Sequence, residues 1–203
     1  MADFRSESGI GVRIRLARRE RGYRTTGDLA NAIPGGNVTE AILENIESGR
    51  KADISLSQLL NIARGLNVPV SMLLAPVGTP DSVLDLPNLS EDFESMTAAE
   101  FDCWLSATPA SAYRPRSASE RSDIAILSSL REFGTLRREL DRLEIVLQSQ
   151  KAAADPDLVA ANLEVEQRID RIAKEAASVA NLLQTAGLEL AQSEVESLEP
   201  ESL

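Results

Sequence analysis

The chain has 203 residues, with 32 Asp and Glu against 21 Lys and Arg, a formal net charge of −11, one cysteine and no histidine. That inventory excludes an internal disulfide and any histidine-based zinc site or acid–base relay; no metal or other cofactor is expected, and with no Gly-rich phosphate loop or nucleophile motif either, the chain is not expected to be an enzyme. There is no run of about 18 apolar residues, and MADFRSESG lacks the basic start and apolar core of a secretory signal, so the expectation is a cytoplasmic protein that neither spans a membrane nor is exported.

The charge is uneven along the chain. Residues 1–78 hold ten Arg and Lys and eight Asp and Glu, whereas residues 79–203 hold eleven and twenty-four. Seven of the ten N-terminal bases fall between Arg5 and Arg24, and Arg50 and Lys51 are adjacent, so a modest positive face is available there for phosphates.

From Ile10 to Arg21 the apolar residues Ile10, Ile14 and Ala17 recur at helical spacing, with Arg13, Arg15, Arg18, Arg19 and Arg21 at the other positions. These arginines read equally as phosphate contacts or as a solvated helix face. Gly22 stops this helix. Thr25 and Asp28 form a capping-box pair for a short second helix, Thr26 to Ile33, and Pro34-Gly35-Gly36 makes a turn. Thr39 is an N-cap for a third helix that buries Ile42, Leu43 and Ile46, leaves Glu40, Ala41, Glu44 and Asn45 outward, and ends at Gly49. Ser55 and Gln58 pair as a second capping box before an apolar fourth helix through Leu66, and Pro69 suits the first position of a fifth, ending near Leu74.

IRLARRERG, DLANAI, ILENIESGRK and LLNIARGLNVPVSMLL together resemble the Cro/lambda-repressor type helix-turn-helix domain, the XRE family, over residues 10–76. The resemblance implies a five-helix DNA-binding domain, residues 1–78, whose second and third helices form the helix-turn-helix and whose third helix enters the major groove. On that reading Glu40, Ala41 and Asn45 face bases, while Thr26, Thr39, Arg50 and Lys51 meet phosphates, and Glu47 matches a structural glutamate. The turn IPGGNVT is longer than the family's usual tight turn. Glu40 and Glu44 would repel phosphate yet can accept from cytosine N4, and Asn45 could pair bidentately with adenine.

Residues 79–118 are acidic and then rich in Ala, Ser and Pro, and read as a linker. Within it, Ser95 to Leu105 could form a short amphipathic helix, serving either to dock a partner or to pack Trp104 on a neighbouring domain. Cys103 reads as a small buried residue, since no nearby base lowers its pKa.

Ser117 and Glu120 open a heptad pattern over residues 119–190. Its first seam is Ile126, Phe133, Leu140 and Leu147, with Ser129, Leu136, Leu143 and Gln150. After a break at AADPD, where Asp155 and Pro156 suit a helix start, the second seam is Leu158, Val165, Ile172, Val179 and Ala186, with Asn162, Ile169, Ala176, Leu183 and Leu190. The short loop predicts a long antiparallel helical hairpin, completing an all-α chain, with an acidic tail at 191–203. Ile124, Leu127, Leu130, Ile145 and Val146 lie off the first seam. A second copy would cover them, giving a homodimer on a four-helix bundle; the alternative is a monomer whose hairpin packs on its own front domain.

The expected function is sequence-specific binding of double-stranded DNA by a homodimeric transcriptional regulator, a repressor by analogy with the family. The alternative is an antitoxin-like or phage-type regulator whose hairpin, or whose linker, holds a partner protein.

Overall fold

The structure is a computed structural model, and it describes residues 3–108, 114–153 and 158–191. The described residues are helical apart from turns, loops and one isolated antiparallel bridge between Val83 and Thr97. The chain divides into two compact units that meet at Arg114 and Pro115.

In the first unit α1 (Ile10–Glu20), α2 (Thr26–Ala32), α3 (Glu40–Glu47), α4 (Leu56–Leu66) and α5 (Val70–Leu74) surround one core. Ile14, Leu29, Leu43, Ile46, Ile62, Leu66 and Leu73 are fully buried in it. The helix starts follow from local chemistry. Thr25 and Asp28 form a reciprocal capping box, Asp28 N–H donating to Thr25 Oγ1 at 3.0 Å and Thr25 N–H to Asp28 Oδ2 at 2.8 Å. Thr39 Oγ1 accepts the Ile42 N–H at 3.3 Å and sets the first turn of α3. A Cβ added to Gly11 would lie 2.1 Å from the Ile46 carbonyl oxygen, so α1 and α3 approach as closely as they do only with glycine there.

Two details depart from the sequence reading. Ser55 caps α4 through the Gln58 N–H at 3.3 Å, but the Gln58 side chain does not close the box. It accepts from Lys51 Nζ at 3.0 Å and donates to the Asn37 carbonyl at 3.1 Å, which fastens the Gly-rich turn to α4. Pro69 is the N-cap of α5 and not its first residue.

The larger correction concerns the basic face of α1. Arg13 is wholly buried. Its guanidinium donates to the carbonyls of Leu73, Leu74 and Glu7 at 2.8–2.9 Å and pairs with Asp85 at 2.7 Å. Arg18 is buried as well, so these two cations are internal struts and not phosphate contacts.

Asp85 lies in the stretch expected to be a linker, and that stretch folds onto the first unit. Gly78 N–H donates to the Arg5 carbonyl, Leu84 N–H to Met96, and Ala98 N–H to Ser82, at 2.8–2.9 Å. A second small core gathers Ala75, Ala98 and Phe101 with Leu84, Leu86, Phe93 and Met96. Trp104 stacks on Phe101 at 6.1 Å and meets Phe93 edge-on at 5.1 Å. α6 (Ala98–Ser106) begins three residues later than the expected 95–105 helix because Thr97 and Glu100 form the capping box. The buried Arg13 needs an anion, and the strap from Gly78 to Ser106 supplies it. A domain boundary drawn at residue 78 would remove that anion.

The second unit is α7 (Ala118–Ala152), capped by the Ser117–Glu120 box, and α8 (Val159–Thr185), about 50 and 40 Å long at 1.5 Å per residue. Phe133, Leu140, Ala176, Ala180 and Leu183 form its buried centre, with Ile126, Leu136, Ile169, Ile172 and Val179 against them. Lys151 pairs with Glu166 at 2.7 Å near the connection and Glu139 with Arg168 at 2.7 Å further from it, as an antiparallel pair requires. The expected helix start at Asp155 and Pro156 lies outside the described residues. α8 ends at Thr185, ahead of Gly187 at φ +91°, so Ala186 is exposed and Leu188 and Leu190 return to the core from a turn instead of continuing the heptad.

Candidate nucleic-acid interface

Glu47, on the inner side of α3, meets Arg18 of α1 in a bidentate ion pair: Nε to Oε1 at 2.7 Å and Nη2 to Oε2 at 2.8 Å. The remaining Arg18 nitrogen donates to the Tyr23 and Arg24 carbonyls at 2.9 and 2.8 Å, closing the turn before α2. The Glu47 hydrogen bonds raise the Arg18 pKa above its ordinary value, against the opposing effect of burial. This one guanidinium ties α1, the α1–α2 turn and α3 together. The relative placement of α2 and α3 is therefore fixed from beneath.

Above that pair lies an open cleft between α1, α2 and α3, lined by Arg15, Thr25, Thr26, Glu40, Glu44, Ser48 and Arg50 with Arg18 and Glu47 at its base. Of the sequence-predicted residues, Thr26, Glu40 and Arg50 come together here. Glu40 leans across to α2: a Cβ built on Gly27 would meet its Oε1 at 3.0 Å, so glycine at 27 is what leaves room for the carboxylate. Arg50 is exposed and steadied by Nε donating to Ser48 Oγ at 3.0 Å.

The other predicted residues lie outside the cleft lining. Ala41 is exposed on α3. Asn45 is half-buried, its carbonyl accepting from Lys51 N–H at 2.9 Å, while its side-chain amide makes no hydrogen bond among the described residues. The Thr39 hydroxyl oxygen is occupied in capping α3. Lys51 is held by Gln58 on α4 and is half-buried. Of the two adjacent bases, only Arg50 reaches the cleft.

Arg15 and Glu44 are cleft residues that the predicted set left out. For Glu44 the signal was its outward position on the third helix. For Arg15 the sequence offered none that separated it from the other arginines of α1.

Comparison with known protein families, with characterised proteins and with solved structures finds no match to the chain. Among the described residues no helix is long and apolar enough to cross a membrane.

Proposed function

We propose that the chain is a sequence-specific DNA-binding regulator of the helix-turn-helix type, acting as a homodimer and, by analogy with the family its front segment resembles, as a repressor. The observation that carries this reading is the outer surface of α2 and α3. Ala41, Glu44 and Asn45 present side chains with no internal partner, between Thr26 and Arg50, on helices locked by Arg18 and Glu47. A rigid helix with uncommitted polar groups, flanked by hydroxyl and guanidinium donors, suits base edges in the major groove with phosphates on either side. Asn45 would discriminate adenine by about 1–3 kcal/mol if paired bidentately, and Glu44 would favour cytosine.

Dimerisation is proposed on the hairpin. Leu127, Leu130, Ile145, Val146, Val159, Leu163 and Leu182 are exposed there, and 67% of the Ile145 and Val159 surfaces face solvent. Two hairpins packed as a four-helix bundle would cover them and hold two front units on half-sites about one DNA turn apart. The same exposed residues also suit a second reading, in which the hairpin holds a different partner protein.

The test is selection of bound fragments from random duplex DNA by the full chain. The expected product is an inverted repeat with half-sites about 10 base pairs apart. Absence of any enriched sequence at moderate salt would reject sequence-specific binding, and enrichment of a single half-site would reject the dimer.

A further inference from the structure

We propose that Arg15 is a phosphodiester anchor of the cleft, binding a backbone oxygen of the nucleic acid from the α1 side while Arg50 approaches from the end of α3. This rests on the DNA-binding reading above and names a contact within it.

Five arginines lie on or at the end of α1, and their bonds separate them. Arg13 is saturated by three carbonyls and Asp85. Arg18 is saturated by Glu47 and two carbonyls. Arg21 donates to the Leu66 carbonyl at 3.2 Å and lies 3.8 Å from Glu20. Arg19 is exposed and does not line the cleft. Arg15 lines the cleft, and its Nε is shielded from water without any acceptor.

A shielded donor on a charged group is costly to leave unpaired, and here the natural internal acceptors are not used. Glu40 and Glu44 share the cleft, yet neither bonds to Arg15, and both Glu47 oxygens belong to Arg18. The shielded Nε is out of reach of an outside acceptor, but the two terminal nitrogens of Arg15 are not buried and have no partner among the described residues, so they are open to an oxygen acceptor arriving in the cleft. A guanidinium fork matches two phosphate oxygens in one plane, which an ammonium cannot do. Glu40 and Glu44 offset the positive potential of Arg15 and Arg50, so a lone phosphate ion gains little here. A duplex held at several points would bring its phosphate to Arg15 regardless.

The experiment measures binding of the full chain to a selected duplex and to a random duplex over a series of salt concentrations, for wild type, Arg15→Ala and Arg15→Lys. Arg15→Ala should weaken binding about tenfold on both duplexes alike and reduce the slope of log K against log salt by about 0.9, the value for one phosphate. Arg15→Lys should keep the slope and recover only part of the affinity. Unchanged thermal melting of both variants excludes a folding defect as the cause. If wild type binds DNA and Arg15→Ala keeps its affinity and slope, the anchor is refuted and the DNA reading stands. If wild type binds neither duplex, the DNA reading falls and the anchor with it.

Discussion

The two units differ in where they put charged residues. The first takes Arg13, Arg18 and Glu47 out of water, and each has a full set of partners. The hairpin buries no charged residue among those described, and it leaves seven large apolar side chains exposed along α7 and α8, against five in the longer first unit. Among the described residues each unit also holds two buried polar atoms without partners, Arg15 Nε and Thr108 Oγ1 in the first and the Gln150 and Asn162 amide oxygens in the hairpin. A satisfied polar network fixes one arrangement of helices, because any other leaves an ion unpaired. That suits a surface whose helices must match a groove. An uncovered apolar surface suits association, since covering it lowers free energy by about 25 cal/mol per Å².

The sharpest way to break this contrast is Arg18→Ala, which leaves Glu47 buried without its cation. The first unit should lose about 3–5 kcal/mol, while the melting of the hairpin stays where it was. Differential scanning calorimetry separates the two transitions, and a common shift of both would show that the units are not independent. Phe133→Ala does the reverse: it opens a cavity in the hairpin core at a cost of about 3 kcal/mol and should leave the first unit unchanged.

Acid should act on the first unit through Asp85. Burial pushes this carboxyl up, but hydrogen bonds from Arg13 and the Gly9 N–H outweigh it, so the group sits below the usual carboxylate range. Because the folded pKa is depressed, the stabilisation is fully present above the unfolded value and is lost as pH falls through the folded one, below about pH 4. Asp85→Asn should lower stability at neutral pH and flatten that acid dependence, which urea titrations at pH 7 and pH 3 would measure. The smallest effect concerns a helix start. Ser117→Ala removes the cap that accepts the Glu120 N–H and should cost about 1 kcal/mol, read as fraying at the N-terminus of α7 by hydrogen exchange.

The helix starts were the most legible part of the sequence, because Thr25, Thr39, Ser55 and Ser117 act within three residues of themselves. The hairpin seam was legible too: Phe133, Leu140 and Leu143 are its buried residues on α7, as the heptad requires. What was not legible depended on distant partners. Arg13 and Arg18 lie three and four residues from Ile10 and Ile14, on the side of α1 that the structure buries, but as arginines they read as phosphate contacts or a solvated face. Composition gave no reason to expect an anion waiting there. Asp85 sits 72 residues from Arg13, in a stretch whose acidity and prolines read as unstructured. The site divided in the same manner. Arg50, Thr26 and Glu40 were placed by position in a motif, but Lys51 was claimed by Gln58 and Arg15 was isolated only by what its neighbours bind.

The most direct measurement is the number of chains bound to a duplex carrying two selected half-sites, by sedimentation velocity, for wild type and for Leu127→Lys/Leu130→Lys. Two wild-type chains should bind each duplex cooperatively, and the variant, whose front unit remains folded, should occupy it singly and more weakly. One wild-type chain per duplex, or a variant that still binds cooperatively in pairs, would contradict a front unit that reads DNA and a hairpin that joins two copies.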